Sequence, residues 1–399
     1  MMILSMDLGK FNTVCCLFDT DTKQARFETI ATKRSHVDSL LDNPLGPFGD
    51  IKPDLVVMEA CGPSGWISDV CRGRGLQTVV CSTNDEARCR KNTKRKTDRD
   101  DALKLAKMAM MDALTPVHVP SPEVRQQRML VKSRKKLDGR INRIKNSIRA
   151  LFVGQGIEID TGKRAWCLGR QRIDSFRKKL EDCGDLELWQ GELDLELTQL
   201  DDLTKQMEIV EKKLETYAKA NPHIKRVMTI PGVGRKTAEA LVAAIDDPHR
   251  FKSARHLSSY LGMTPKQYQS GETDRSGRIS KRGPRMLRSL LLECAWASTR
   301  YNAWSKLTFA RIHGGSRTRR KKAGIALARK LAVVAWAMMR DETDWDSTEL
   351  LPELGPEEVK LKVKRPEVRP AGELHSDQPK RPSGRGSRPS RRCGSPLKT

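Results

Sequence analysis

Four acidic residues stand where metal-dependent phosphodiester chemistry would need them. Asp7 closes an apolar run in "MILSMDLGK", and Glu59 closes another in "LVVMEACG". Asp98 and Asp101, in "KRKTDRDDALKLA", are three residues apart and so share one face of a helix. Carboxylate oxygens are hard ligands suited to Mg2+. Four of them at one sheet edge would hold two such ions, which activate a nucleophile and stabilise a leaving oxygen. Singly, each residue has an ordinary explanation, since acidic residues are favoured at helix N-termini and common at strand ends. Asp100 lies off the shared face and takes that ordinary reading. What favours chemistry is the joint order: two acids on strands, then two on one helix face.

The surroundings are strongly positive. The 399 residues carry 75 lysines and arginines against 50 acidic residues, a net +25 and a pI near 9.8. Residues 355–399 hold 12 basic and 5 acidic residues, so the tail supplies +7 and the body +18. A body charge of that size is the footprint of a nucleic-acid binder with its surface on the folded part. Lys94, Arg95 and Lys96 directly precede the helical acids and would steer nucleic acid toward them. The ten cysteines include no C-x-x-C pair, which fits buried reduced thiols in a cytosolic protein. The start turns acidic too soon for a signal peptide. Arg329 and Lys330 interrupt the most apolar late segment, so no membrane span is expected. A soluble cytoplasmic protein follows.

The elements that must position the acids can be read from periodicity. Residues 2–6, 13–18 and 25–31 read as three strands in hairpin order. A helix follows near 36–42, then a buried strand "PDLVVMEA", a helix "GWISDVCRGRG", a strand "LQTVVCS", and a helix from Asp98 to about Leu114. This is an α/β layout with a mixed sheet, assigned to residues 1–121. Residues 122–222 space apolar residues at three and four under dense charge. They predict long antiparallel helices, or a coiled coil joining protomers. Residues 223–345 read as a mainly helical third block. The Pro-, Gly-, Ser- and Arg-rich residues 346–399 cannot bury enough apolar surface to fold.

Two further stretches carry candidate chemistry. "PGVGRKTAEAL", residues 231–241, lacks the G-K-[ST] ending of a Walker A loop. It matches a helix-hairpin-helix turn better: Gly232 and Gly234 would let the backbone approach a DNA phosphate, with Arg235 and Lys236 beside it. A purely structural glycine turn is the competing reading. In residues 260–296, Ser270, Thr273, Ser276 and Ser280 read as loop hydroxyls satisfying turn amides, and their spacing promotes none of them. No histidine adjoins them, which argues against an acyl-transfer triad. Lys266, Arg278, Lys281, Arg282 and Arg285 suit a phosphate environment.

Together, "MDLGK", "VVMEACG", "KTDRDDA", "IPGVGRKTAEAL" and "YLGMTPKQYQSGETDRSGRISKRGPRMLR" resemble the DEDD transposases of the insertion-sequence family IS110, over nearly the whole chain up to about Asp341. The resemblance implies a RuvC-like, RNase H-type N-terminal domain whose four acids are Asp7, Glu59, Asp98 and Asp101. It implies a second transposase domain whose serine is the nucleophile. The family's serine-glycine motif falls on "QSG" and nominates Ser270 with Gly271, and Ser280 is the fallback. Gln269 stands where the pattern often has another serine. The resemblance also implies a noncoding bridge RNA pairing with donor and target DNA, held by backbone and shape contacts. It implies a dimer or tetramer joined through residues 122–222, working in the bacterial cytoplasm or nucleoid. Two rival readings remain: a RuvC-like nuclease or junction resolvase using water, and a non-catalytic binder of nucleic acid.

Overall fold

Three consecutive apolar runs fold as an antiparallel meander of β1 (Met2–Leu8), β2 (Asn12–Asp19) and β3 (Ala25–Ala31). The computed structural model describes residues 1–42, 48–49, 52–82, 97–271 and 273–346. After α1 (Arg34–Asp42), β4 (Leu55–Glu59) lies parallel beside β1. Helix α2 (Ser64–Gly73) then returns the chain to β5 (Gln77–Cys81), parallel to β4. The sheet order is β3-β2-β1-β4-β5. The core of β2, "TVCCLF", is buried on both faces, and so reads as a continuous apolar run rather than an alternating one.

One sheet face packs Leu4, Met6, Val56 and Met58 against Val37 of α1 and Ile67 and Val70 of α2. The other packs Ile3, Cys16 and Val57 against Ala102, Leu105 and Ala106 of α3 (Asp98–Met110). Ser5, buried on the α3 side, donates to the Ala102 carbonyl at 2.7 Å and fixes the height of α3 over β1. Helix α3 ends before the expected Leu114, because Asp112 turns left-handed at φ 50°. The following residues then run beside β5, where the Val117 amide donates to the Val80 carbonyl at 2.7 Å. All eight described cysteines are free thiols, but Cys61 and Cys167 are exposed rather than buried, because each stands in a loop or short turn outside the apolar runs. Burial pushes the Cys16 and Cys71 thiols up to about 11.

Helices α4 (Pro122–Gly154) and α6 (Leu188–Ala220), 33 residues each, pack antiparallel within one chain. Ser147 meets Glu196 at 2.8 Å on one side, while Arg134 meets Glu211 at 3.6 Å further toward the base. Phe152, Phe176 and Trp189 form an aromatic cluster at the tip. There α5 (Arg170–Asp174) is tied down by two 2.9 Å hydrogen bonds from the Arg170 guanidinium to Asp201. The base of the arm is rooted in the C-terminal core, which includes Val131, Leu214 and Ala218.

That core comprises α7 (Pro222–Met228), α8 (Arg235–Ile245), α9 (Ala254–Tyr260), α10 (Arg285–Tyr301), α11 (Ala303–His313) and α12 (Arg320–Arg340). Its centre is α12, whose Leu327, Leu331 and Trp336 are buried; the Trp336 indole donates to the Pro248 carbonyl at 2.7 Å. One expectation fails here. The stretch read as hydroxyl-bearing loop is a two-stranded hairpin, β6 (Pro265–Ser270) and β7 (Thr273–Ile279), with Tyr268 opposite Arg275 and Ser270 opposite Thr273. Every residue of β6 is exposed. With neither face buried, the hydrophobic alternation that reveals a strand has no reason to exist.

Candidate active site

Register and helix periodicity determine where the four acids fall. Met6 pairs with Met58 across β1 and β4, so the next residues, Asp7 and Glu59, end adjacent parallel strands. Side chains alternate between faces. Ile3, Ser5 and Val57 lie on the α3 side, and Asp7 and Glu59 therefore lie there too. On α3, Asp98 and Asp101 precede Ala102 and Leu105 on the same stripe, the one that packs on the sheet. Two carboxylates at a sheet edge thus meet two on the first turn of the helix that covers it. Asp7, Glu59 and Asp101 are half-buried, and Asp98 is exposed at the rim.

A cleft of about 370 Å³ opens at this edge, lined by Asp7, Gly9, Asn12, Thr29, Thr97 and Asp98 among others. Gly9 is required by the turn. Its amide donates to the Asn12 carbonyl at 3.0 Å, and an added Cβ would collide with that same oxygen. The charge of the two strand acids is felt next door: the Cys61 thiol is pushed up mainly by burial, and further by the carboxylates of Glu59 and Asp7. Asp100 serves locally. Its amide donates to the Thr97 hydroxyl at 3.2 Å and its carboxylate accepts from that hydroxyl at 2.7 Å, which caps α3.

Hard carboxylate oxygens converging from two strands and a helix suit a hard divalent cation in their donor chemistry. Among the described residues, no three carboxylate, imidazole or thiol side chains are drawn within ligating reach of one point. The acids share an edge and a face, and closing them on an ion would take side-chain rotation. Lys94, Arg95 and Lys96 lie outside the described residues. Thr97 and Asn12, which line the cleft, went unnoticed in the sequence. The threonine directly before D-x-x-D, an N-cap signature, is the signal that marks it.

The second predicted constellation is present as a helix, turn and helix, α7 to α8. Gly232 is left-handed at φ 94°, and a Cβ there would lie 2.5 Å from the Ser298 Cα of α10. Its smallness therefore serves packing against α10. Gly234, the N-cap of α8, has open space around it. Arg235 and Lys236, expected at phosphates, are engaged by α6: Arg235 reaches Glu211 at 2.7 Å and Glu215 at 3.3 Å, and Lys236 reaches Glu211 at 2.7 Å. At the centre of this network Arg134 of α4 pairs with Glu239, which is fully buried. Arg134→Met should leave that carboxylate with only the longer contact to Arg235, and cost roughly 3 kcal/mol in urea unfolding. Adding Glu239→Leu should recover most of the loss, because no buried charge is then left over.

Ser270 and Gly271 form the turn of the exposed hairpin, Gly271 at φ 54°. Ser280 lies at the hairpin root, where its amide donates to the Thr264 carbonyl at 2.8 Å. Lys281, left-handed at φ 59°, and Arg282 are exposed at that root. Among the described residues, no hydrogen bond or ion pair ties Ser270 to the acidic edge.

Two family models match the chain. Residues 4–155 match a transposase model of the DEDD IS110 type, and residues 224–310 match the Transposase IS116/IS110/IS902 family. All four acids fall in the first span and Ser270 in the second. The chain is 31% identical over 302 residues to the transposase for insertion sequence element IS1111A of Coxiella burnetii, covering 73% of this chain and 80% of that protein. It is 27% identical over 299 residues to a probable family 20 transposase of Pseudomonas aeruginosa, covering 74% and 87% respectively. A pilin gene-inverting protein of Moraxella bovis is 37% identical over 121 residues, which is 30% of this chain and 37% of that protein.

Proposed function

The chain belongs to the IS116/IS110/IS902 family of transposases, and on that premise we propose that it cuts and rejoins donor and target DNA through Asp7, Glu59, Asp98, Asp101 and Ser270. The observation that carries the reading is the placement of four carboxylates from β1, β4 and α3 on one face and one edge of an RNase H-like sheet. They would hold divalent cations, two Mg2+ ions in this reading, which when bound neutralise charge at the scissile phosphate.

Ser270 supplies the nucleophile. Its Oγ forms an ester to phosphorus as one backbone P–O bond breaks. The serine hydroxyl gives up its proton and the departing sugar oxygen takes one up, so no net proton is consumed. A phosphodiester is exchanged for a phosphoserine ester, and the bond energy is kept for rejoining, so no ATP is required. The exposed position of Ser270 suits a group that must enter a duplex-sized site, and bound DNA would bring the hairpin to the acidic edge. A noncoding bridge RNA from the element's flank would select both DNA partners by pairing, held along the basic face of α4. A dimer or tetramer, joined through the α4–α6 arm, would present two duplexes together.

The test is strand exchange between labelled donor and target duplexes by purified protein co-expressed with its flanking noncoding DNA. Joint molecules are expected with Mg2+ and not with EDTA, and not when the flank is omitted. Exchange that persists in EDTA would remove the carboxylates from the mechanism. Exchange without the flank would remove the RNA.

A further inference from the structure

From Cys294 through Arg340 the chain has eleven lysines and arginines, Arg340 included, and no aspartate or glutamate. Five of these cations are consecutive or nearly so: Arg317, Arg319, Arg320, Lys321 and Lys322. They run from a short 3-10 turn into the first turn of α12, and all five are exposed. Among the described residues none of the five enters an ion pair; the nearest pair along the chain, Arg340 with Asp341 at 2.6 Å, lies at the far end of α12. By contrast, Arg134, Arg235 and Lys236 are neutralised locally by Glu211 and Glu239.

The placement is also electrostatically unfavourable. A helix N-terminus is the positive end of the dipole and favours anions, yet α12 has no acidic residue in its first turn and three cations there. Helix α3 has the opposite and ordinary arrangement, three aspartates in its first turn. Charge held in this way, unpaired, exposed and against the helix dipole, is relieved when a polyanion binds.

From this geometry we infer that residues 317–322, continued along α12 by Arg329, form a surface that grips the phosphate backbone of duplex DNA. Arg329 follows Lys322 by seven residues and so extends the same stripe for roughly 10 Å of helix. A duplex presents roughly six phosphates over that length. The charged residues of this surface are all arginine or lysine, which neutralise phosphates whatever the base sequence, so the grip is on the backbone. A single strand is the poorer fit, because the nearby rings are already engaged with one another. Trp296 meets Phe309 at 5.5 Å, Phe309 stacks on His313 at 5.4 Å, and Arg320 covers Trp296 at 5.7 Å, leaving no platform for unstacked bases. Duplex DNA is favoured over duplex RNA because the surface belongs to the domain that carries Ser270, a step that rests on the proposed function.

The fourfold variant Arg317→Gln, Arg319→Gln, Lys321→Gln, Lys322→Gln spares Arg320, whose stacking is structural. Its affinity for a short duplex DNA should fall at least ~tenfold, and the slope of log affinity against log salt should drop by about 3 to 4. Its melting temperature should be unchanged or higher, since repulsion is removed, whereas a merely structural role would lower it. Should the variant melt early, Lys321→Gln with Lys322→Gln should show about half the change in slope. An unaltered slope overturns the proposal. So does a loss confined to duplex RNA, which would reassign the surface to the guide. If the unmodified protein binds no duplex at all, the transposase reading itself fails, and the two failures are thereby told apart.

Discussion

Asp7→Asn should reduce strand cleavage by roughly a thousandfold, about 4 kcal/mol of barrier, with no change in melting temperature or duplex affinity. The substitution keeps size and shape, and Asp7 is held by the β1–β2 ladder opposite Val14, so the backbone has no reason to move. What it removes is one anionic donor from the edge where Glu59, Asp98 and Asp101 gather. Asp100→Asn is the matched control on the same helix. It alters a side chain that lies off the shared face and only accepts from the hydroxyl of the capping Thr97, and should leave cleavage within a few-fold of the unmodified protein. A large effect of Asp100→Asn together with a small one of Asp7→Asn would mean that the wrong face of α3 had been chosen. Both are read by single-turnover cleavage on denaturing gels, alongside thermal melts.

Ser270→Ala should remove strand exchange altogether while leaving the fold untouched. The hydroxyl is exposed, its strand is exposed throughout, and the turn conformation is borne by Gly271, so no packing is lost. Duplex affinity should also persist, because the hairpin contributes no buried surface. Ser280→Ala separates the two candidate serines: it sits at the hairpin root, held through a backbone amide the substitution keeps, and should remain active.

The N-terminal sheet was legible in the sequence because its faces are buried. Apolar runs such as "TVCCLF" and "LVVME" exist to fill a core, and runs of this kind put Asp7 and Glu59 on strands ending at one sheet edge. That the two strands are neighbours is seen only in the β1–β4 pairing. The two long helices α4 and α6 were legible for the same reason, through apolar spacing at three and four, but that spacing left open whether they pair within one chain or between protomers. The β6–β7 hairpin was not, since strands exposed on both faces carry no such pattern. Nor could local sequence reveal that Arg235 and Lys236 face Glu211, a partner more than twenty residues upstream on α6, or that Gly232 is small because Ser298 packs on it. Ser270 differs again: resemblance alone nominated it, because several hydroxyls nearby have equal standing on physical grounds.

The most direct test of the account is covalent capture. Protein co-expressed with its flanking noncoding DNA is mixed with end-labelled donor and target duplexes and Mg2+, then resolved under denaturing conditions. Label is expected to migrate with the unmodified protein and with Ser280→Ala, and to be absent from Ser270→Ala and Asp7→Asn. Free cleaved DNA from both the unmodified protein and Ser270→Ala, with no label on either, would instead mean that water is the nucleophile.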